Sequence, residues 1–161
     1  MLDVQKLLRR LTEQNVDFVV IGGLAMITQG AATVTEDLDV CYRRDDRNLS
    51  ALANAIGPLH PVLRGAPPGL PFRFDPPTIR AGLNITLTTD LGDVDLIGEV
   101  MGIGDYDRVR MVAESHSVFG ITVMVLSIEG LIAAKQAAGR AKDQIHLLEL
   151  QELKKLRGQQ I

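Results

Sequence analysis

The chain has 161 residues, enough for one domain that can bury about two-thirds of its surface. With 46% hydrophobic and 23% charged residues its composition is ordinary for a globular protein, which excludes collagen, coiled coil and disorder. A net charge of −3, no basic run beyond two adjacent residues and no tryptophan argue against a duplex-DNA binder or a base-stacking platform, and no apolar run approaches the length of a membrane span.

In chain order, Leu2, Leu7, Leu8 and Leu11 recur at helical spacing and predict a first amphipathic helix ending near Asn15. Asp17 to Ile21 is a short apolar run that reads as a buried strand, followed by the pair Gly22-Gly23 and a short helix from Leu24 to Gln29. Asp37 to Tyr42 alternates like a half-buried strand, and Leu49 to Ile56 reads as a helix stopped by Gly57-Pro58. All seven prolines fall between Pro58 and Pro77, so 58–82 is expected to be a long ordered loop, with a short strand at Phe72–Phe74. Asn84–Thr89 and Val94–Ile97 read as strands joined at Asp90-Leu-Gly92, and Tyr106–Ala113 as a helix. His116–Phe119 and Ile121–Leu126 bracket Gly120 as a hairpin. Ser127 is a good N-cap for a helix to about Ala138, and after Gly139 the leucines at 147, 150 and 153 mark the last helix, 142–156. The expectation is one domain over residues 1–161, an α/β (α+β) fold with a mixed β-sheet and flanking helices, with no apolar stripe left outside its core. The single cysteine, Cys41, excludes an internal disulfide, and no signal-peptide pattern follows Met1, so the expected compartment is the cytoplasm.

Four features could carry chemistry. Gly22-Gly23 between a strand and a helix would let a phosphate approach the backbone, although the same pair also makes a plain tight turn. Asp37-x-Asp39 on a strand projects two carboxylates to one face while Leu38 and Val40 enter the core. Like charges that close are unfavourable without a cation between them, and Mg²⁺ suits two carboxylates plus substrate phosphates; a merely solvated acidic strand is the alternative. Asp93-x-Asp95 repeats the arrangement, and were the two strands neighbours, three or four carboxylates would converge. Lys135, Arg140, Lys142 and Asp143 cluster where two helices meet, where cations could neutralise a triphosphate or simply answer a helix dipole. Together these form a set suited to nucleotidyl transfer with two metal ions.

The combined pattern resembles a known family. Ile21-Gly-Gly-Leu-Ala, Gly30 and Thr35-Glu-Asp-Leu-Asp-Val40 resemble the first motif of the DNA polymerase β-like nucleotidyltransferase superfamily, most closely its branch of AbiEii-type toxins and small bacterial nucleotidyltransferases. Leu91 to Ile97 resembles that branch's strand bearing the third acid, here Asp95, and Ser127 to Lys135 with Arg140 to Asp143 resembles its C-terminal motif. The resemblance implies the palm-like nucleotidyltransferase fold and Mg²⁺, two ions, on the catalytic and metal-binding set Asp37, Asp39 and Asp95. It also implies NTP as substrate, bound near Gly22, Gly23 and Thr35, with Lys135, Arg140, Lys142 and Asp143 as further nucleotide-binding candidates. The acceptor is then an RNA end, a protein or a small molecule, and a role in a toxin–antitoxin pair follows from the branch. Two departures stand out. Gly23 replaces the serine common in the family, and His146 stands three residues after Asp143 where relatives often carry an aspartate. The chain also lacks the extra helical domain of larger relatives, so a homodimer or protein partner is compatible with it, and a non-catalytic nucleotide-binding or regulatory module is the alternative reading.

Overall fold

The structure, a computed structural model, describes residues 1–159. Asp3 caps the first helix by accepting the Lys6 amide, and α1 (Val4–Glu13) buries Leu7, Leu8 and Leu11. β1 (Phe18–Ile21) is apolar and buried at every residue, as a strand covered on both faces must be. It runs straight into α2 (Gly22–Thr28), so Gly22 and Gly23 are the first helical residues rather than a separate turn. β2 (Asp37–Tyr42) buries Leu38 and Val40 completely and leaves Asp37 and Asp39 half-buried on its other face. α3 (Asp46–Ile56) starts three residues earlier than expected because Asp45 caps it, accepting the Asn48 amide. Asn48 itself is fully buried and satisfied: its side chain bonds Asp17 N, Asp17 O and Arg43 O.

The proline segment holds more structure than a loop. After a 3-10 turn at Gly57–Leu59 come β3 (Val62–Leu63) and α4 (Pro76–Ala81), which begins with Asp75 as cap and two prolines in its first turn, where a missing N–H costs nothing. The strand expected at Phe72–Phe74 does not form; Phe74 instead drops into the core from irregular backbone. β4 (Asn84–Thr89) and β5 (Gly92–Ile97) form the expected hairpin. A two-stranded ribbon, β6 (Glu99–Val100) with β7 (Gly104–Asp105), precedes α5 (Tyr106–Met111). α5 ends two residues before the expected Ala113, which already opens β8 (Ala113–Val118), paired with β9 (Ile121–Leu126). α6 (Ile128–Ala138) is capped by Ser127 and ended by Gly139 at φ +64, and α7 (Ala141–Gly158) follows.

Seven strands form one mixed sheet in the order β3-β4-β5-β2-β1-β9-β8. β2 lies at its centre, antiparallel to β1 and parallel to β5. That parallel pairing aligns Asp37 with Asp93 and Asp39 with Asp95, so the two acidic strands are indeed neighbours. α2 packs on α6 and α6 on α7, while α1 packs on α3 and α3 on α4. The last helix departs from the sequence reading: Ile145, Leu148 and Leu156 are 70%, 66% and 54% exposed, an apolar stripe the core does not cover. Among the described residues no helix is long and apolar enough to cross a membrane.

Candidate active site

The parallel register of β2 and β5 brings four carboxylates to one face of the sheet, and three of them converge. Asp37, Asp39 and Asp95 each offer an oxygen within 4.8 Å of the others. The crowding is visible in the acidity of Asp39 and Asp37. Burial, then the charge of Asp37 and a hydrogen bond with Asp95, push the Asp39 carboxyl up from its usual 3.8 to about 7. Asp37 is raised as well, by burial and by Asp95. Groups that resist ionisation this strongly are groups a divalent cation would relieve. Three hard carboxylate oxygens, half-buried and mutually repelling, fit Mg²⁺ in donor type and number.

The glycines earn their place by contact with these acids. Gly22 has φ +63, and a Cβ there would stand 2.1 Å from Asp39 Oδ2, so only glycine lets the strand–helix junction lie against the carboxylate. The Gly23 amide draws the Asp39 acidity partly back. A Cβ at 23 would meet Thr35 Oγ1 at 2.8 Å. A side chain at position 23 therefore has no room while Thr35 holds this conformation. Thr35 Oγ1 donates to Asp37 O at 2.7 Å and lies 3.4 Å from Asp37 Oδ1, which steadies the first acid.

A cleft of about 590 Å³ opens over the acids, a volume suited to a nucleotide-sized ligand. Nine of the ten predicted site residues line it: Gly22, Gly23, Thr35, Asp37, Asp39, Asp95, Lys135, Arg140 and Lys142. Asp143 does not. Its side chain is fully buried below the wall, where it accepts from Lys135 Nζ (3.1 Å), Arg140 Nε (2.8 Å) and the Arg140 amide (3.1 Å). Arg140, ahead of Lys135, holds that carboxyl well below the usual range. Lys135 is thus 15% exposed and already paired, Arg140 is 59% exposed, and Lys142 makes no ion pair among the described residues. His146 also lines the cleft; burial and the Lys135 charge lower its pKa, and its Nδ1 is buried without a hydrogen-bond partner among the described residues. Cys41, farther along β2, is buried and pushed up to about 12, which removes it as a nucleophile.

Sequence reasoning missed one residue. Arg64, just after β3, reaches into the acid cluster: its guanidinium contacts Asp95 at 2.7 Å, Asp93 at 3.2 Å and Asp37 at 3.9 Å. Nothing in the sequence around Arg64 signals this, because the contact depends on the β3–β4–β5 hairpin stack.

This fold and site can be set beside known proteins. No protein-family model and no curated protein matches the chain. Solved structures do. A Thermotoga maritima protein provisionally classed as a nucleotidyltransferase is similar over 96% of this chain and 88% of its own, at 17% identity and a TM-score of 0.55. The lincosamide antibiotic adenylyltransferase LnuA, solved with lincomycin bound, is similar over 94% of this chain and 98% of its own, at 11% identity and a TM-score of 0.58. The antibiotic-resistance factor ANT(2'')-Ia in complex with adenylyl-2''-tobramycin is similar over 96% and 92%, at 14% identity and a TM-score of 0.57. At these identities the likeness is one of fold: the chain has the nucleotidyltransferase fold, a seven-stranded mixed sheet with flanking helices. The toxin-like branch rests on the sequence motifs alone.

Proposed function

We propose that this chain is a divalent-metal-dependent nucleotidyltransferase that moves NMP from an NTP to a hydroxyl of a small-molecule acceptor. The observation that carries the reading is the convergence of Asp37, Asp39 and Asp95 within 4.8 Å at the floor of a nucleotide-sized cleft. These three carboxylates would hold Mg²⁺, which when bound lowers the pKa of an attacking hydroxyl and stabilises charge at the α-phosphate. The chain's own residues do the positioning. The Gly22–Gly23 backbone, without side chains, lets phosphates come close to the strand–helix junction. Lys142, exposed and in no ion pair among the described residues, and Arg140, exposed and anchored on Asp143, would neutralise the triphosphate from the cleft lining. The acceptor oxygen bonds to the α-phosphorus as the bond to the β-phosphate oxygen breaks, pyrophosphate leaves, and the hydroxyl proton goes to solvent.

The choice of a small acceptor over an RNA end or a protein is supported by size. LnuA was solved with lincomycin and ANT(2'')-Ia with adenylyl-2''-tobramycin, and this chain spans nearly the whole length of each. No additional domain is needed to reach that class of acceptor. A second reading, a nucleotide-binding module that docks a partner as in a toxin–antitoxin pair, is favoured by the uncovered stripe of Ile145, Leu148 and Leu156 on α7.

Incubation with each α-labelled NTP and Mg²⁺, offered a panel of hydroxylated small molecules, bulk RNA or total protein, tests both. Label is expected in a small-molecule product with the wild type and at least 100-fold less with Asp37→Asn or Asp39→Asn, roughly the loss expected when electrostatic stabilisation at the reacting centre is removed. Label in RNA or protein would replace the acceptor. Nucleotide binding without turnover, with a co-purifying protein, would move the function to the second reading.

A further inference from the structure

Four carboxylates stand in two register pairs on β2 and β5, yet only three converge. The fourth, Asp93, accepts the Thr88 hydroxyl at 2.9 Å and lies 3.2 Å from Arg64 Nε. The Nε–H does not aim at an oxygen, so that contact is an ion pair rather than a hydrogen bond. The other arm of the guanidinium is well aimed. Nη2 donates to Asp95 Oδ1 at 2.7 Å and to the Leu87 carbonyl at 3.0 Å. The Arg64 backbone is fixed too, its amide donating to Thr86 O at 3.0 Å. The guanidinium is therefore anchored on the β4 backbone and spans Asp93 and Asp95.

From this geometry, and resting on the metal-dependent reading above, we infer that Arg64 is a positioning residue that selects which acids serve as ligands. It takes one oxygen of Asp95 and so fixes that carboxylate's rotamer with Oδ2 left for a cation. It also neutralises Asp93, which keeps the fourth acid out of the ligand set. Carboxylates that ligate metals are commonly held in this way by an outer hydrogen bond. A planar fork suits the task better than an ammonium, because two acids and a carbonyl must be met in fixed directions. The proline segment acquires a role from this: it carries a cation across to the acid face.

The test is a Mn²⁺ titration of the nucleotide-free protein, read by the electron paramagnetic resonance of free Mn²⁺. Arg64→Ala is expected to weaken Mn²⁺ binding by about 10-fold or more, the usual effect of removing a residue that orients a metal ligand. The sign is diagnostic. An arginine acting only as a nearby charge repels the ion, so its removal would tighten binding. Arg64→Lys should recover only part of the affinity. Asp93→Asn with Arg64 in place should leave Mn²⁺ affinity within about twofold of wild type, since Arg64 already holds that acid outside the ligand set. Unchanged or tighter Mn²⁺ binding by Arg64→Ala overturns the inference, as does a loss of about 10-fold or more from Asp93→Asn alone. Should Arg64→Ala fail to fold, Arg64→Gln carries the same expectation and the same overturning result. Asp37→Asn separates the two levels: if it leaves Mn²⁺ binding intact, the metal reading itself fails; if it weakens binding while Arg64→Ala does not, only the role of Arg64 fails.

Discussion

Asp39 shows how a single side chain can make stability and function pull apart. In the metal-free protein its carboxyl is raised from 3.8 to about 7 by burial and by Asp37. The folded state therefore holds a proton that the unfolded chain releases near pH 4. The stability this proton confers is fully present below pH 3.8 and is lost as pH rises through about 7. His146, whose pKa is lowered by burial, acts in the opposite sense: unfolding would let it take up a proton below pH 6.5, so its contribution falls on acidification. The comparison must be differential. With chelator present, wild type should lose more stability between pH 4.5 and 7.5 than Asp39→Asn, measured by melting temperature at each pH. Parallel curves for the two proteins would mean that Asp39 does not titrate in that window. At this scale the sequence was informative about the acids, since period-2 spacing on a strand dictates that Asp37 and Asp39 share a face. It was silent on Arg64, whose partners lie 23 to 31 residues away along the chain.

The elements were legible where local chemistry specifies them. Ser127 before α6 and Gly139 after it follow from capping rules, and both stand where expected. The proline segment was not legible as a whole, because β3 is two residues long and exists only through its pairing with β4. α4 did leave a trace, since Asp75-Pro76-Pro77 is a cap followed by prolines at the helix start. The corner between α6 and α7 makes a prediction of its own. Asp143 is fully buried and answers Lys135, itself only 15% exposed. Asp143→Ala would strand that ammonium in the wall of the cleft, at a cost of about 3 kcal/mol, the low end for breaking a buried pair because Arg140 can turn to water. Adding Lys135→Met should restore most of the loss, since it removes the stranded charge. Urea unfolding of the single and double variants measures both. If Lys135→Met gives no recovery, the corner is held by the cap that Asp143 makes to the Arg140 amide, not by the ion pair.

For the whole molecule, what the sequence could not supply was strand order. β2 and β5 are separated by α3, β3, α4 and β4, and only the folded topology makes them parallel neighbours. That adjacency gives the active-site reading a consequence for global stability. The acids repel one another across β2 and β5 at the centre of the sheet, so a ligand that bridges them binds the folded state and has no comparable site in the unfolded chain. At 100 times its dissociation constant such a ligand adds about 2.7 kcal/mol. For a domain of this length each kcal/mol raises the melting temperature by about 2–4 °C, so Mg²⁺ with NTP should raise it by about 5–11 °C. Asp37→Asn in the same buffer should shift far less, although its own melting temperature without ligand should equal or exceed that of wild type, because one of the repelling charges is gone. The paired result matters more than either half. A variant that is as stable as wild type alone yet blind to Mg²⁺ and NTP shows that the acid cluster exists at the expense of the fold and is retained for what it binds. Equal shifts in both proteins would instead place the nucleotide's stabilising contacts away from β2 and β5.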